Sequence, residues 1–126
     1  MKLNTVLSIS AVYMALLGLG FIFAPQPVGL GAVPADASPA LIAYLRVFGS
    51  TFLGIAVINW LARNSEPSAA LNAIVIGNII GFGAAALLDV WGIFSGARQL
   101  VYLFAAIHFL ITIGFIWARS ASPSTK

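Results

Sequence analysis

Arg46 and Asp89 are charged side chains that lie inside long apolar stretches of the sequence. A charge at such a depth in a bilayer costs about 3 kcal/mol or more unless it is paired or hydrated. Each residue could compensate the other. Two interpretations stay open. The structural one is an ion pair that only fixes helix register, or an arginine that snorkels to the head groups. The functional one is a contact with a lipid head group or a ligand.

His108 and Asn78 are polar residues that we expect near the middle of their apolar stretches, His108 in a further stretch and Asn78 in the one that contains Asp89. A neutral histidine that is hydrogen-bonded to Asn78 or to a backbone carbonyl is the structural interpretation. A proton relay, or a hydrogen bond to a quinone, is the functional one. Haem ligation by two histidines is excluded, because the sequence contains one histidine.

Several other chemistries lack the residues they need. The sequence has no cysteine, one histidine and three carboxylates, too few ligands for a metal site. It contains no nucleophile-elbow, zinc-protease or phosphate-loop motif. The six basic residues are scattered singly, which argues against nucleic-acid binding. We therefore expect no metal, no catalytic residue and a protein that is not an enzyme.

The elements that carry these residues are apolar segments long enough to cross a bilayer. Hydrophobic residues make up 61% of the 126 residues and charged residues 7%, against roughly 25% charged in soluble domains. Four segments of about 20 residues or more span approximately 3–24, 39–62, 69–94 and 97–118, followed by a polar tail over 119–126. The first is longer than the ~7–15-residue core of a signal peptide, so we expect a retained anchor. The predicted fold is an all-α, four-helix transmembrane bundle in one domain, arranged up-down-up-down.

Turn and capping residues separate the segments. Pro25 and Pro27 should end the first helix, followed by a loop to Ser38 that could contain one short interfacial turn. Ser38 and Ser68 are positioned to cap the second and third helices. A break at 95–96 should end the third helix. Because two of the connections are short, consecutive helices are predicted to be antiparallel neighbours.

Basic residues predict the orientation. Four of them fall on one side of the predicted bundle: Lys2, Arg63, Arg119 and Lys126. Arg98 falls on the other side, together with Asp36. Because cytoplasmic loops carry the excess of lysine and arginine, both termini are predicted to be cytoplasmic.

Depth then suggests a partner for Arg46. It lies seven residues into the second segment, about 10 Å deep at 1.5 Å per residue. Asp89 lies five residues before the end of the third segment, roughly 7–8 Å deep from the same side. The sequence therefore predicts an ion pair between the second and third spans.

Small residues predict close helix packing. Gly49 follows Arg46 on the same face of the second span, and Gly54 lies further along that span. In the third span, Gly77 and Gly81 form a GxxxG motif that Ala85 extends. Small residues let helices approach closely in lipid. Assembly into a homo-oligomer, or with a larger membrane complex, is the alternative use of these faces.

One stretch resembles a known family. The run Leu45-Arg46-Val47-Phe48-Gly49, then Gly54, then Asn59-Trp60-Leu61-Ala62-Arg63, is similar to small bacterial four-helix membrane proteins of the DoxX-like kind. This resemblance implies a four-helix bundle in the bacterial cytoplasmic (inner) membrane, with Arg46 and Gly49 as candidate functional positions. The residues themselves predict no cofactor; a quinone is the alternative that the resemblance offers, since some members belong to quinone-linked redox systems and others have no assigned activity.

Three functions are carried forward. The leading one is a non-enzymatic accessory or assembly subunit that packs through its Gly- and Ala-rich faces in the lipid bilayer. The second is a quinone- or lipid-binding protein with a polar pocket at Arg46 and Asp89, and with His108 and Asn78 as further candidate ligands. The third is a small transporter.

Overall fold

The computed structural model describes residues 2–29, 32–96 and 101–121, and within these ranges the regular structure is entirely helical. Its elements, in chain order, are α1 (Leu3–Phe23), α2 (Pro25–Val28), α3 (Pro39–Ala62), α4 (Ala69–Ser95) and α5 (Val101–Ser120). Three predictions lie outside the described residues: the start of the fourth span at Ala97, the position of Arg98 on the outer side, and the tail beyond residue 121.

The four long helices are apolar and long enough to cross a membrane, which is consistent with an integral membrane protein. Large apolar side chains cover much of their outer surface, and Phe94 is 88% exposed. Such a surface suits lipid better than water. The predicted segments agree with α1, α3 and α4 to within one residue at either end.

The helix ends follow from the residues that the sequence singled out. Ser38 accepts a hydrogen bond from the backbone N–H of Leu41 at 3.2 Å, and Ser68 accepts one from Leu71 at 3.1 Å. Gly96 ends α4 in the left-handed conformation, with φ of 64°, which glycine adopts without steric cost.

The predicted loop after α1 contains a short helix. α1 ends at Phe23 as expected, but Pro25 then occupies the first turn of α2, where its missing N–H costs no hydrogen bond. Gln26 ties this helix to the following segment, since its amide nitrogen donates to the carbonyls of Pro34 and Ala35.

The helices pack as two close pairs, α1 with α3 and α4 with α5, and α1 also contacts α5. Gly18 and Gly49 form the crossing of α1 and α3. A Cβ added to Gly49 would lie 2.7 Å from the Gly18 carbonyl oxygen, and one added to Gly18 would lie 2.9 Å from the Gly49 oxygen. Only glycine permits so close an approach.

The expectation of close packing within the chain at the other glycines is wrong. A Cβ added to Gly54, Gly77 or Gly81 would meet no atom within 4 Å among the described residues. The physical reason is that α3 packs on α1, so it touches its sequence neighbour α4 only slightly. Ala85 is half-buried.

A hydrophobic core joins helix ends that are far apart in the sequence. It combines the start of α1, the end of α3, the start of α4 and the end of α5: Val6, Leu7, Ala62, Leu71 and Ala118. Phe82, Ile111 and Phe115 continue it inward between α4 and α5. Lys2, Arg63 and Arg119 lie next to the helix ends that contribute to this core.

Candidate functional site

Asp89 is bonded to His108, not to Arg46. Its Oδ2 atom lies 2.6 Å from Nδ1 of His108, so the contact joins α4 to α5. The two side chains are 9% and 12% exposed, respectively. A carboxylate and an imidazole at this distance form a short, charge-assisted hydrogen bond, and burial strengthens it.

Tyr13 completes the site from α1. Its hydroxyl oxygen lies 2.9 Å from Nε2 of His108, so both ring nitrogens of the histidine have partners. The Tyr13 and His108 rings meet edge-on, with centroids 5.7 Å apart. We call Tyr13, His108 and Asp89 the polar triad; it ties three of the four long helices together.

Hydrogen-bond chemistry determines what the polar triad can do. With Asp89 as a carboxylate, His108 donates through Nδ1 and accepts the Tyr13 hydroxyl proton at Nε2. If one proton is added to the imidazole, Nε2 becomes a donor and the Tyr13 oxygen becomes its acceptor. All hydrogen bonds within the triad survive this change, because a hydroxyl can both donate and accept. The hydrogen-bond pattern of the triad is therefore compatible with an imidazole that carries either one N–H group or two.

The polar triad lies well inside the bundle. Tyr13 is ten residues from each end of α1, about 15 Å along the helix axis. Asp89 precedes the last residue of α4, Ser95, by six positions, or about 9 Å. Ionisable groups at such depth in a membrane helix are costly, so they commonly mark functional sites.

The predicted Arg46–Asp89 ion pair is wrong. Arg46 is exposed and forms no ion pair or hydrogen bond with the described residues. Depth alone suggested the pair, but α3 packs on α1 and α4 packs on α5. Arg46 is therefore an exposed arginine on α3, and its snorkelling to the head groups stays a prediction.

A second polar cluster joins α1, α3 and α4. Asn59 and Asn78 pair through their amides, each nitrogen donating to the other's oxygen at 2.8 Å. Asn59 also donates to the Ser10 hydroxyl at 3.1 Å, and Asn78 donates to the Ile74 carbonyl at 2.9 Å. Asn59 is fully buried. The predicted hydrogen bond between His108 and Asn78 is wrong, because each of the two residues has another partner.

The slight contact between α3 and α4 leaves a cleft of about 320 Å³, which we call the α3–α4 cleft. Its walls are mainly apolar. They are formed by Ile55, Ile58 and Asn59 of α3 with Ile74, Gly77, Asn78, Gly81 and Phe82 of α4, and by Met14 of α1. The two open glycines of the GxxxG motif therefore line this cleft.

Phe82 lies between the α3–α4 cleft and the polar triad. It lines the cleft, and its ring centroid is 6.2 Å from that of Tyr13 and 5.9 Å from that of His108. It also stacks on Phe115 in the core, with centroids 6.3 Å apart. One aromatic ring thus separates the apolar cleft from the ionisable groups.

Sequence reasoning missed Tyr13, Ser10 and Gly18. Tyr13 had a detectable signal, because tyrosines of membrane helices concentrate at the interfaces and this one lies mid-helix. Gly18 could be recognised only after α1 was known to pack on α3, where it faces Gly49. Ser10 had no signal, because serine is common in such helices.

The described residues contain no cluster of three His, Cys, Asp or Glu side chains that could hold a metal ion. No family model, curated protein or solved structure matches this chain. Function is therefore argued from the polar triad, the second polar cluster and the α3–α4 cleft.

Proposed function

We propose that this chain is an integral membrane protein that binds a lipophilic, carbonyl-bearing ligand of the quinone class and exchanges a proton with it. The observation that carries the proposal is the polar triad. It places an ionisable carboxylate and an imidazole in the interior of an apolar bundle, with a hydroxyl as the third member.

The chemistry of the triad suits such a ligand. A quinone carbonyl accepts a hydrogen bond. Its reduction to the quinol takes two electrons and two protons: a separate membrane reductase would supply the electrons, the triad one proton and water the other. Tyr13 and His108 can supply one proton through a single hydrogen-bonded line, and the Asp89 carboxylate orients the imidazole by accepting the hydrogen bond from Nδ1. This proposal replaces the expected pocket at Arg46 and Asp89, because Arg46 lies apart from Asp89.

The resemblance of residues 45–63 to DoxX-like proteins supports the same ligand class and a place in the bacterial cytoplasmic membrane. The common end shared by Lys2, Arg63 and Arg119 supports an up-down-up-down bundle with both termini in the cytoplasm. In that arrangement the polar triad lies between the middle of the bundle and the end opposite Lys2, Arg63 and Arg119.

Ligand binding by purified variants tests the proposal. Wild-type protein in detergent is titrated with a decyl-tailed benzoquinone, and the Kd is measured by equilibrium dialysis. His108→Gln and Asp89→Asn should weaken binding about tenfold, the effect of losing one good hydrogen bond. Asn72→Ala, an exposed amide on α4, is the control and should leave the Kd unchanged. No binding by wild type, or equal binding by all four proteins, would reject the proposal.

A second candidate function is the accessory subunit expected from the sequence. The observation in its favour is the open surface at Gly54, Gly77 and Gly81, where a helix of another chain could approach closely. Sedimentation in mild detergent tests it. Association should be reduced in Gly77→Leu and Gly81→Leu, whereas a strictly monomeric wild-type protein would exclude self-association.

The transporter has less support. The Ser10 hydroxyl of the second polar cluster donates to the Leu7 carbonyl rather than toward Tyr13. A continuous proton path across the bundle would need a link between the two polar clusters.

A further inference from the structure

We infer that the α3–α4 cleft is the binding site for the hydrocarbon chain of the lipophilic ligand. This inference rests on the proposed function and extends it, because it assigns separate places to the two parts of the ligand. The polar triad serves the carbonyl-bearing head, and the cleft receives the apolar tail.

The dimensions of the cleft fit a chain. Its volume of about 320 Å³ lies at the lower end of the range of small-molecule pockets, roughly 300–1,000 Å³. Gly77 and Gly81 keep it open, since a Cβ added to either would meet no atom within 4 Å. Ile55, Ile58 and Ile74 supply apolar walls.

The amides at the cleft have no free N–H group for a carbonyl-bearing occupant. Each N–H of Asn59 is engaged, one with the Ser10 hydroxyl and one with the Asn78 oxygen. Each N–H of Asn78 is engaged as well, with the Asn59 oxygen and the Ile74 carbonyl. The side chains lining the cleft therefore offer no unused hydrogen-bond donor to a carbonyl head. A hydrocarbon chain needs none, so it is the chemistry that these walls accept.

Phe82 links the cleft to the site of proton exchange. The ring forms part of the cleft wall and also contacts the rings of Tyr13 and His108. A chain in the cleft would therefore end one aromatic ring away from the polar triad. Because the cleft and the polar triad are neighbours on either side of the Phe82 ring, the tail of the same ligand is favoured over an unrelated membrane lipid.

Substitutions that fill the cleft test the inference. Gly77→Leu and Gly81→Leu each place a side chain in open space, so the fold should persist, and thermal unfolding checks that it does. Gly54→Leu is the matched control, because Gly54 is equally open but does not line the cleft. The probe is a benzoquinone whose decyl tail ends in a diazirine, used with single protein copies in phospholipid nanodiscs.

Both cleft-filling variants should raise the Kd for this probe about tenfold or more, the effect of losing two buried methylene groups. The control should bind as wild type does. On illumination, wild-type protein should be labelled in the peptides that contain Ile55, Ile58 or Ile74.

The contrary outcomes separate the two proposals. If His108→Gln weakens binding while Gly77→Leu and Gly81→Leu do not, the tail lies elsewhere and the proposed function stands. If a phospholipid with a diazirine on its acyl chain labels the cleft and the benzoquinone does not displace it, the cleft is a lipid site and the inference fails. If wild type binds no benzoquinone, both proposals fail.

Discussion

Asp89 Oδ2 and His108 Nδ1 lie 2.6 Å apart, although 19 positions separate the two residues in the sequence. Tyr13 approaches the opposite nitrogen of the same ring at 2.9 Å. One imidazole therefore connects α1, α4 and α5. The polar contacts inside this apolar bundle act as links between helices.

Removing the imidazole should destabilise the fold. His108→Ala removes one hydrogen-bond partner from the Asp89 carboxylate and one from the Tyr13 hydroxyl. We expect the free energy of unfolding to fall by about 1–3 kcal/mol, the cost of an incompletely satisfied buried polar group. Unfolding in mixed micelles measures this, with Ile113→Ala of the same helix, 59% exposed, as the control. An equal loss in both variants would contradict the triad's structural role.

Two glycines of α3 should respond in opposite directions to the same substitution. Gly49→Ala forces a Cβ to 2.7 Å from the Gly18 carbonyl, so stability should fall by about 1–3 kcal/mol, as overpacking usually costs. Gly54→Ala meets open space and should gain up to about 1 kcal/mol through better helix propensity. Parallel unfolding curves decide the matter. Similar shifts for the two variants would mean that α1 and α3 do not cross at Gly18 and Gly49.

The paired amides should be energetically coupled. A double-mutant cycle of Asn59→Ala and Asn78→Ala should give a coupling energy of about 0.6–1.7 kcal/mol, the range for hydrogen bonds between membrane helices. The matched cycle combines Asn59→Ala with Asn72→Ala, which removes an exposed amide from the same helix as Asn78. That second cycle should be additive within about 0.5 kcal/mol. Coupling of equal size in both cycles would argue against the amide pair.

Arg46 should contribute little to folding. Because it is exposed and unpaired within the described residues, Arg46→Ala should change the free energy of unfolding by less than about 0.5 kcal/mol. A cycle with Asp89→Asn should show no coupling between the two positions. Coupling above about 1 kcal/mol would instead restore the ion pair that the sequence suggested.

The long helices were predictable because their signals are local. Apolar length defined the membrane-crossing segments, and Ser38 and Ser68 begin helices by capping backbone N–H groups within the next turn. The sequence allowed one short turn in the loop after α1 but did not place α2, because Pro25 can either end a helix or begin one. No single residue distinguishes these two roles.

The candidate site was only half predictable, for a different reason. Asp89 and His108 stand out in the sequence as ionisable groups in apolar segments, whatever their partners. Their pairing depends on which helices touch, and that follows from the approach of Gly18 to Gly49 and from the packing of α4 on α5. Matching depth is necessary for a contact between helices but does not select one neighbour over another.

The ¹⁵N NMR spectrum of the histidine tests the central claim most directly. The sequence contains one histidine, so ¹⁵N-histidine labelling in bilayers reports on His108 alone. If Asp89 and Tyr13 hold the ring as described, Nδ1 is protonated whether or not the imidazole carries an extra proton, and Asp89→Asn or Tyr13→Phe shifts the signals of the nitrogen that each contacts. An unprotonated Nδ1, or a spectrum that neither substitution changes, would contradict the polar triad.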